Sequence, residues 1–316
     1  MKTERKEETN AQNTRRMSKT KKWLFAGSSL LVVGVIVFAI GMSALKWDFW
    51  RLDTTTYTAK EYTPVGDAPV SRVELDVDSF PVVITQGETA KLSYYEASDS
   101  EVEVTYADGV LKIKEDYSFN LLKNSWFQLG RLKHKYELTL PNGVDLTLAG
   151  KNGDFTVRDA TEINLAIDVA NADIEFVNCG ITQLDIKATN ADVELTNCTG
   201  GAVRIDATNL DLEVEGCRFD SLYAKGTNND TEVKNTTATQ MEVRGTNGDY
   251  SLKNITVDTL IVHATNLDAS ILIAGARAEY TISASGRGMP ADQTGSSDKS
   301  VTLSGTNNDV KLRFTA

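Results

Sequence analysis

The triplet Asn-x-Asp returns along this chain at one fixed interval, and that interval limits what the chain can fold into. Asn152, Asn171, Asn190, Asn209, Asn228, Asn247 and Asn266 lie 19 residues apart. Ser285 holds the next position in register, and Asn307 closes the series after a short insertion. Asp154, Asp173, Asp192, Asp211, Asp230, Asp249, Asp268 and Asp309 follow two residues behind. A period of about 20 residues marks a solenoid, in which each repeat buries its apolar face only against its neighbours.

Aligned on the asparagine, the repeats form columns. Three and five residues on, the side chains are apolar: Ile174/Phe176, Val193/Leu195, Leu212/Val214. Thirteen and fifteen residues on they are apolar again, as in Leu165/Ile167, Leu184/Ile186, Val203/Ile205, Met241/Val243 and Leu260/Val262. Period-two alternation of this kind reads as strand, and no helical periodicity fits between. Each coil therefore carries two short strands joined by polar corners. The expected fold is all-β: a single-stranded parallel β-helix with ~19-residue coils, preceded by one transmembrane helix. Tyr136–Gly150 fits the same frame as a first coil. Nine or ten coils stacked ~4.8 Å apart make a rod of roughly 45 Å. Asparagine suits the corner because it tolerates left-handed backbone and its amide can bond the coils above and below. A second corner column holds Asn178, Asn197, Asn235 and Asn254; three of these spell glycosylation triplets, which their place in the repeat explains better.

Ahead of the repeats, residues 23–44 are an uncharged, largely apolar run preceded by Lys19, Lys21 and Lys22. About 20 such residues span a bilayer, and flanking bases stay on the cytoplasmic side. A cleaved secretory signal is the competing reading, but its apolar core is typically only ~7–15 residues. The expectation is a single-pass signal-anchor in the cell membrane, with a cytoplasmic N-terminus and an extracellular C-terminal domain. Residues 1–22 read as a disordered cytoplasmic tail, 45–69 as an extracellular stalk, 70–135 as an irregular β-rich opening segment and N-terminal cap, and 136–316 as the regular solenoid. Within 70–135, Asp108-Gly109 signals a hairpin. Residues 118–135 mix aromatics with Lys and Arg, which suits either a lid over the first coil or a membrane-surface segment.

Charge excludes one class of partner. The net charge is −11, and residues 45–316 carry 25 basic against 41 acidic side chains, so phosphate backbones would be repelled and no nucleic-acid partner is expected. Three cysteines, Cys179, Cys198 and Cys217, fall in one column, which favours buried free thiols over a disulfide framework.

The outward columns hold the candidate chemistry. On the second sheet Asp168, Lys187, Asp206, Lys225 and Arg244 follow one another, so that face compensates itself. On the first sheet Asp173/Glu175, Asp192/Glu194, Asp211/Glu213 and Asp230/Glu232 put eight carboxylates on four coils with no base in either column. Unit charges ~4.8 Å apart repel by about 0.9 kcal/mol even in water. Two accounts offset that. In one, each Asp accepts backbone N–H bonds inside its own turn and the Glu column splays into water. In the other, the face binds a cation or a cationic partner; Ca²⁺ accepts clustered carboxylate oxygens, although the motif is not a calcium nonapeptide repeat. No cofactor is otherwise expected. Carboxylates about 5 Å apart also suit a retaining glycosidase. A ladder gives that spacing everywhere, however, and the irregular Ser283–Lys299 insertion, His134 and His263 supply no base and nucleophile pair.

The strand-rich opening that ends in Leu140-Pro141, the repeated Gly/Ala-Thr-Asn-x-Asp turns and the Val/Ile-x-Val/Ile strands resemble the bacterial putative-adhesin family of β-strand-repeat proteins. They are also similar to auto-transporter-adhesin-like head domains. The resemblance covers residues 70–316. It implies a parallel β-helix and an envelope location, and transfers no catalytic residue. The expected function is non-enzymatic: binding or structure, adhesin-like, toward a cell-wall polymer or glycan. The alternatives are an envelope-stress accessory that meets cations or cationic peptides on its acidic face, and a polysaccharide-acting enzyme.

Overall fold

In a computed structural model, residues 19–44, 46–47, 56–66, 68–77, 81–98, 101–116 and 136–315 are described. The 118–135 segment, read above as lid or membrane-surface element, lies outside them, as does His134. Two units are distinguished, one holding the N-terminal helix and one holding the strands.

Helix α1 spans Lys19–Ala44. Its side chains are described from Leu30 onward, and among the described residues no helix is long and apolar enough to cross a membrane.

The solenoid is built by β8 (Asp145–Arg158), β9 (Ile163–Val177), β10 (Gly180–Thr196), β11 (Thr199–Glu215), β12 (Arg218–Lys234) and β13 (Thr237–Ile273). Each pairs in parallel with the next, and partners sit one period apart, as in Asn171↔Asn190, Val193↔Leu212 and Leu222↔Met241. In-register stacking is forced by the alternation, because a one-residue slip would turn every apolar side chain to solvent. Phe176, Leu184, Leu195, Val203, Leu212, Met241 and Leu260 fill the interior at 0–1% exposure. Burial of each such side chain stabilises by about 1.5–3 kcal/mol.

The two corner columns do different work. The expectation that the first asparagine column adopts left-handed backbone is corrected: strand conformation runs straight through Asn171, Asn190, Asn209, Asn228, Asn247 and Asn266. Positive φ belongs to the second column, at Asp159, Asn178, Asn197, Gly216, Asn235 and Asn254, all between 50° and 65°. Its mixture of Asn, Asp and Gly is what that backbone region selects. The cysteines follow this column by one residue. All three are buried and free, as expected. Thiol–thiol bonding and burial shape their acidity: the bond to Cys179 draws Cys198 down, but its bond to Cys217 and burial push it up to about 11.

At both ends the chain laces rungs out of sequence order. β2 (Arg72–Asp76) and β3 (Val82–Gln86) already form a parallel rung beneath β8, with Val73↔Leu146 and Val82↔Phe155. β6 (Val110–Asp116) lies under β2, and β7 (Tyr136–Leu140) under β3. Tyr136–Gly150 is therefore not one coil: the chain leaves β7, passes over the rung of β2 and β3, and lands in β8. Antiparallel strands close this end, β4 (Lys91–Ala97) on β7 and β5 (Glu101–Ala107) on β6 through the Asp108-Gly109 hairpin. The stretch read as a stalk also contains a strand, β1 (Tyr57–Tyr62), antiparallel to β4. Lys60 pairs with Glu96 and Lys91 with Glu61 across that edge, which is why a polar segment can sit there.

The far end mirrors this. β15 (Ser300–Phe314) sits directly on β13, with Asn266↔Asn307, and β14 (Thr281–Arg287) lies outside β15. The rung carrying Ser285 thus follows Asn307 in space, although it precedes it in sequence.

Candidate functional site

The asparagine ladder fixes one wall of the site. Each amide Nδ2 donates to the Oδ1 of the asparagine one rung below, at 2.5–2.8 Å, from Asn171→Asn152 through Asn307→Asn266. A file of aligned amides polarises itself, so each bond strengthens the next. From Asn171 to Asn266 each amide uses one N–H and one lone pair in the ladder and has one of each beyond it.

The residue after each asparagine turns inward: Ala172, Ala191, Leu210, Asn229 and Leu267 are buried. The aspartate after it turns out again and is exposed. Between the two outward columns runs an open groove of about 800 Å³, lined from Asn171 to Asn307 and along Asp173, Asp192, Asp211, Asp230, Asp249 and Asp268. A wall of amides and a wall of carboxylates flank a floor to which Ala172, Ala191, Leu210 and Leu267 contribute.

The eight carboxylates named from sequence divide here. Glu175, Glu194, Glu213 and Glu232 do not line the groove. Bases two residues further along the strand meet three of them, a pairing that column-by-column reading misses. Arg158 Nη2 lies 2.5 and 2.7 Å from Glu175, Lys234 3.2 Å from Glu213 and 2.7 Å from Glu232, and Lys253 2.7 Å from Glu232. Thr196 Oγ1 donates to Glu194 at 3.2 Å. The bond from Lys234, then that from Lys253, holds Glu232 below its ordinary range. Such exposed pairs contribute at most about 1 kcal/mol each.

Among the described residues no base pairs with the aspartates that line the groove. Burial first, then the neighbouring carboxylates, raises Asp192 (Asp211, Asp173) and Asp230 (Asp249, Asp211) above the usual range. Asp154 is raised the same way, by burial and Asp173. The expected backbone N–H bonds that would have lowered them do not enter, because the corner is extended strand rather than a turn.

A raised folded pKa means that the native state binds more protons than the unfolded one between the two values. Stability from this row therefore falls as pH rises through the folded pKa. Replacing Asp192 and Asp230 by Asn should raise the unfolding midpoint at pH 7 by a small amount, about 1–2 °C. The gain should vanish near pH 3. A lower midpoint at pH 7 would contradict the assignment.

Among the described residues no three His, Cys, Asp or Glu side chains converge to hold a metal ion. In-register stacking keeps like carboxylates a rung apart instead of aiming them at one point. On the second sheet Lys225 pairs with Asp206 at 3.3 Å and Arg204 with Asp206 at 3.7 Å, so that face does alternate. There His263 Nδ1 lies 2.7 Å from Ser304 Oγ, a neighbour hidden from sequence by the reordered last rungs. No carboxylate orients the other ring nitrogen among the described residues, so the pair lacks the third member of a hydrolytic triad.

Stacked single-stranded coils, a side-chain ladder and a groove along it define a β-solenoid repeat domain. Residues 70–315 match the Toastrack DUF4097 model, and the chain belongs to that family. Among solved structures it is similar to a putative adhesin from Bacteroides fragilis, at 13% identity over 82% of this chain and 97% of that one, with a TM-score of 0.43. A putative adhesin from Parabacteroides merdae gives 10%, 83%, 97% and 0.38. A putative lipid binding protein from Parabacteroides distasonis gives 14%, 83%, 97% and 0.36. No curated protein sequence is detectably similar to the chain.

Proposed function

We propose that this chain is a non-enzymatic binding module, tethered to the outer face of a bacterial cell membrane, whose Asn–Asp groove holds an elongated, cation-bearing ligand. The groove carries this reading. It presents the same two walls rung after rung, so it suits a partner that is itself extended and repetitive rather than a compact substrate. Unpaired carboxylates every ~4.8 Å along one wall favour amines, and the spare amide N–H and C=O groups on the other can bond a peptide or glycan backbone. The role is adhesin-like in the sense of contact, with a polycationic peptide segment as the occupant that the charges favour over a neutral wall polymer.

The tether rests on α1. Leu30, Leu31, Val33, Ile36, Val37 and Ile40 are exposed on all sides of that helix, and a helix apolar all round is one that lipid or protein covers. Lys19, Lys21 and Lys22 in its first turn favour a cytoplasmic N-terminus.

The test is thermal unfolding of the full chain in detergent with oligolysine or oligoglutamate. A ligand at about 100 times its Kd adds roughly 2.7 kcal/mol to the folded state. Oligolysine should raise the midpoint saturably by several degrees and oligoglutamate should not. Equal behaviour of the two, or no shift with either, overturns the reading.

A further inference from the structure

On the second sheet the alternation of charge stops at Lys225. Below it acid and base take turns along the outward column, from Asp168 through Lys187 and Asp206. Above it base follows base: Arg244 stacks on Lys225, and His263 comes one period later. Two residues after each of these positions the rung carries a threonine. A cleft of about 440 Å³ runs between the two columns. Lys225, Arg244 and His263 line one side of it, and Thr208, Thr227 and Thr246 the other, over a floor of Ala207, Gly226 and Gly245. Asp206 is the one acid in its lining.

The donors of this cleft are held in place but not used up. Arg244 gives its Nε to Glu242, and among the described residues neither terminal nitrogen of that guanidinium has a protein partner. His263 is fixed through Nδ1, 2.7 Å from Ser304 Oγ, which leaves Nε2. The hydroxyls of Thr208, Thr227 and Thr246 bond no other protein group among the described residues. The acids nearby are already engaged: Asp206 lies 3.3 Å from Lys225 and 3.7 Å from Arg204, and Glu242 meets Arg244. Arg204, Lys225 and Arg244 thus outnumber the carboxylates they touch. Here the local balance favours an anion, on a solenoid that is acidic as a whole.

We propose that this cleft binds a phosphate group, held by Arg244, His263 and Lys225 on one side and by the threonine hydroxyls on the other. Rungs repeat every ~4.8 Å, so donors on neighbouring rungs can both reach one tetrahedral anion lying between them. A guanidinium anchored through Nε keeps its terminal N–H groups for two oxygens of such an anion. The remaining oxygens meet hydroxyl donors across the floor. A carboxylate, with only two oxygens, satisfies fewer of these donors. The site lies on the other sheet from the aspartate wall, and its occupancy does not depend on what fills the Asn–Asp groove.

The experiment titrates the full chain in detergent, with isotope-labelled histidine rings followed by NMR at constant pH and ionic strength. The chain has two histidines, so His263→Asn identifies the signal that reports on the cleft. Inorganic phosphate and glycerol phosphate should each move that signal saturably, and chloride should not. Both results support the site: tighter binding of glycerol phosphate marks the natural group as an ester, and tighter binding of inorganic phosphate as the free ion. Arg244→Gln combined with Glu242→Gln leaves the local charge unchanged and should weaken phosphate by about tenfold or more, as loss of a charge-assisted hydrogen bond does. Thr227→Val should also weaken it. Lys187→Gln, which removes a base of the same column outside the cleft, should leave the affinity as it is. None of these side chains is buried, so the fold survives each change. A His263 signal that moves with neither phosphate, moves equally with chloride, or keeps its phosphate affinity without Arg244 and Glu242 would overturn the proposal.

Discussion

Replacing Gly248 by leucine should cost the solenoid about 3 kcal/mol, and a second change at Tyr250 should return most of it. In the coil at 209–212 the sequence Asn-Leu-Asp-Leu sends Leu210 and Leu212 into the core, where both are buried. Two coils on, the same positions are Gly248 and Tyr250. A β-carbon on Gly248 would lie 2.4 Å from Cζ of Tyr250, so the ring occupies the space its neighbour vacates. Thr231 below and Ala269 above are small residues in the same column, which leaves room for the ring across three rungs. Overpacking a filled core costs ~1–3 kcal/mol and sometimes more. In Gly248→Leu/Tyr250→Leu the coil becomes a copy of 209–212, with volume nearly kept. Denaturant unfolding of both single variants and the double should give a coupling of roughly 2–3 kcal/mol. Additive single effects would show that the ring does not pack under Gly248.

Neutralising the aspartate wall should abolish binding while leaving the rod at least as stable. With Asp192, Asp211 and Asp230 changed to Asn, the groove keeps its shape and its amide wall but loses three adjacent charges. Affinity for oligolysine should fall at least tenfold, and the wild-type affinity itself should weaken steeply between low and physiological salt, as exposed charges are screened over ~8–10 Å. Glu194→Gln with Glu213→Gln should change affinity little, since Glu213 is engaged by Lys234 and neither residue lines the groove. Sequence alone names the aspartate and glutamate columns alike; of the two, only the aspartates line the groove. The same row that opposes folding at neutral pH is the one offered to the ligand, and local rules give way in this fashion at functional sites.

Most of the rod is legible in the repeat itself. A strict 19-residue period specifies in-register stacking, and the alternation on either side of each asparagine specifies which residues enter the core. The two corner columns are distinguishable by composition as well. The first contains asparagine on every regular rung, as a side-chain ladder requires, whereas the second mixes Asp159, Asn178 and Gly216, which share only tolerance of positive φ. The laced ends are not legible, because periodicity reports spacing and a strand of the right length fits either of two slots. One clue is present: the coil with Ser285 and Arg287 has neither ladder asparagine nor aspartate, so it could not stand between Asn266 and Asn307. β1 gives no signal because an edge strand exposed on both faces shows no alternation. The pairing of the glutamates is hidden because Arg158, Lys234 and Lys253 stand in the column beside them.

The most direct test of the account is zero-length carbodiimide coupling of oligolysine to the full chain, with the linked carboxylates mapped by mass spectrometry. The reagent joins a lysine amine to a carboxylate only where the two touch. The account predicts links concentrated at Asp173, Asp192, Asp211, Asp230, Asp249 and Asp268, and lost when oligolysine is competed off by salt. Links spread over the exposed acids of the whole solenoid, or gathered outside the groove, would contradict it.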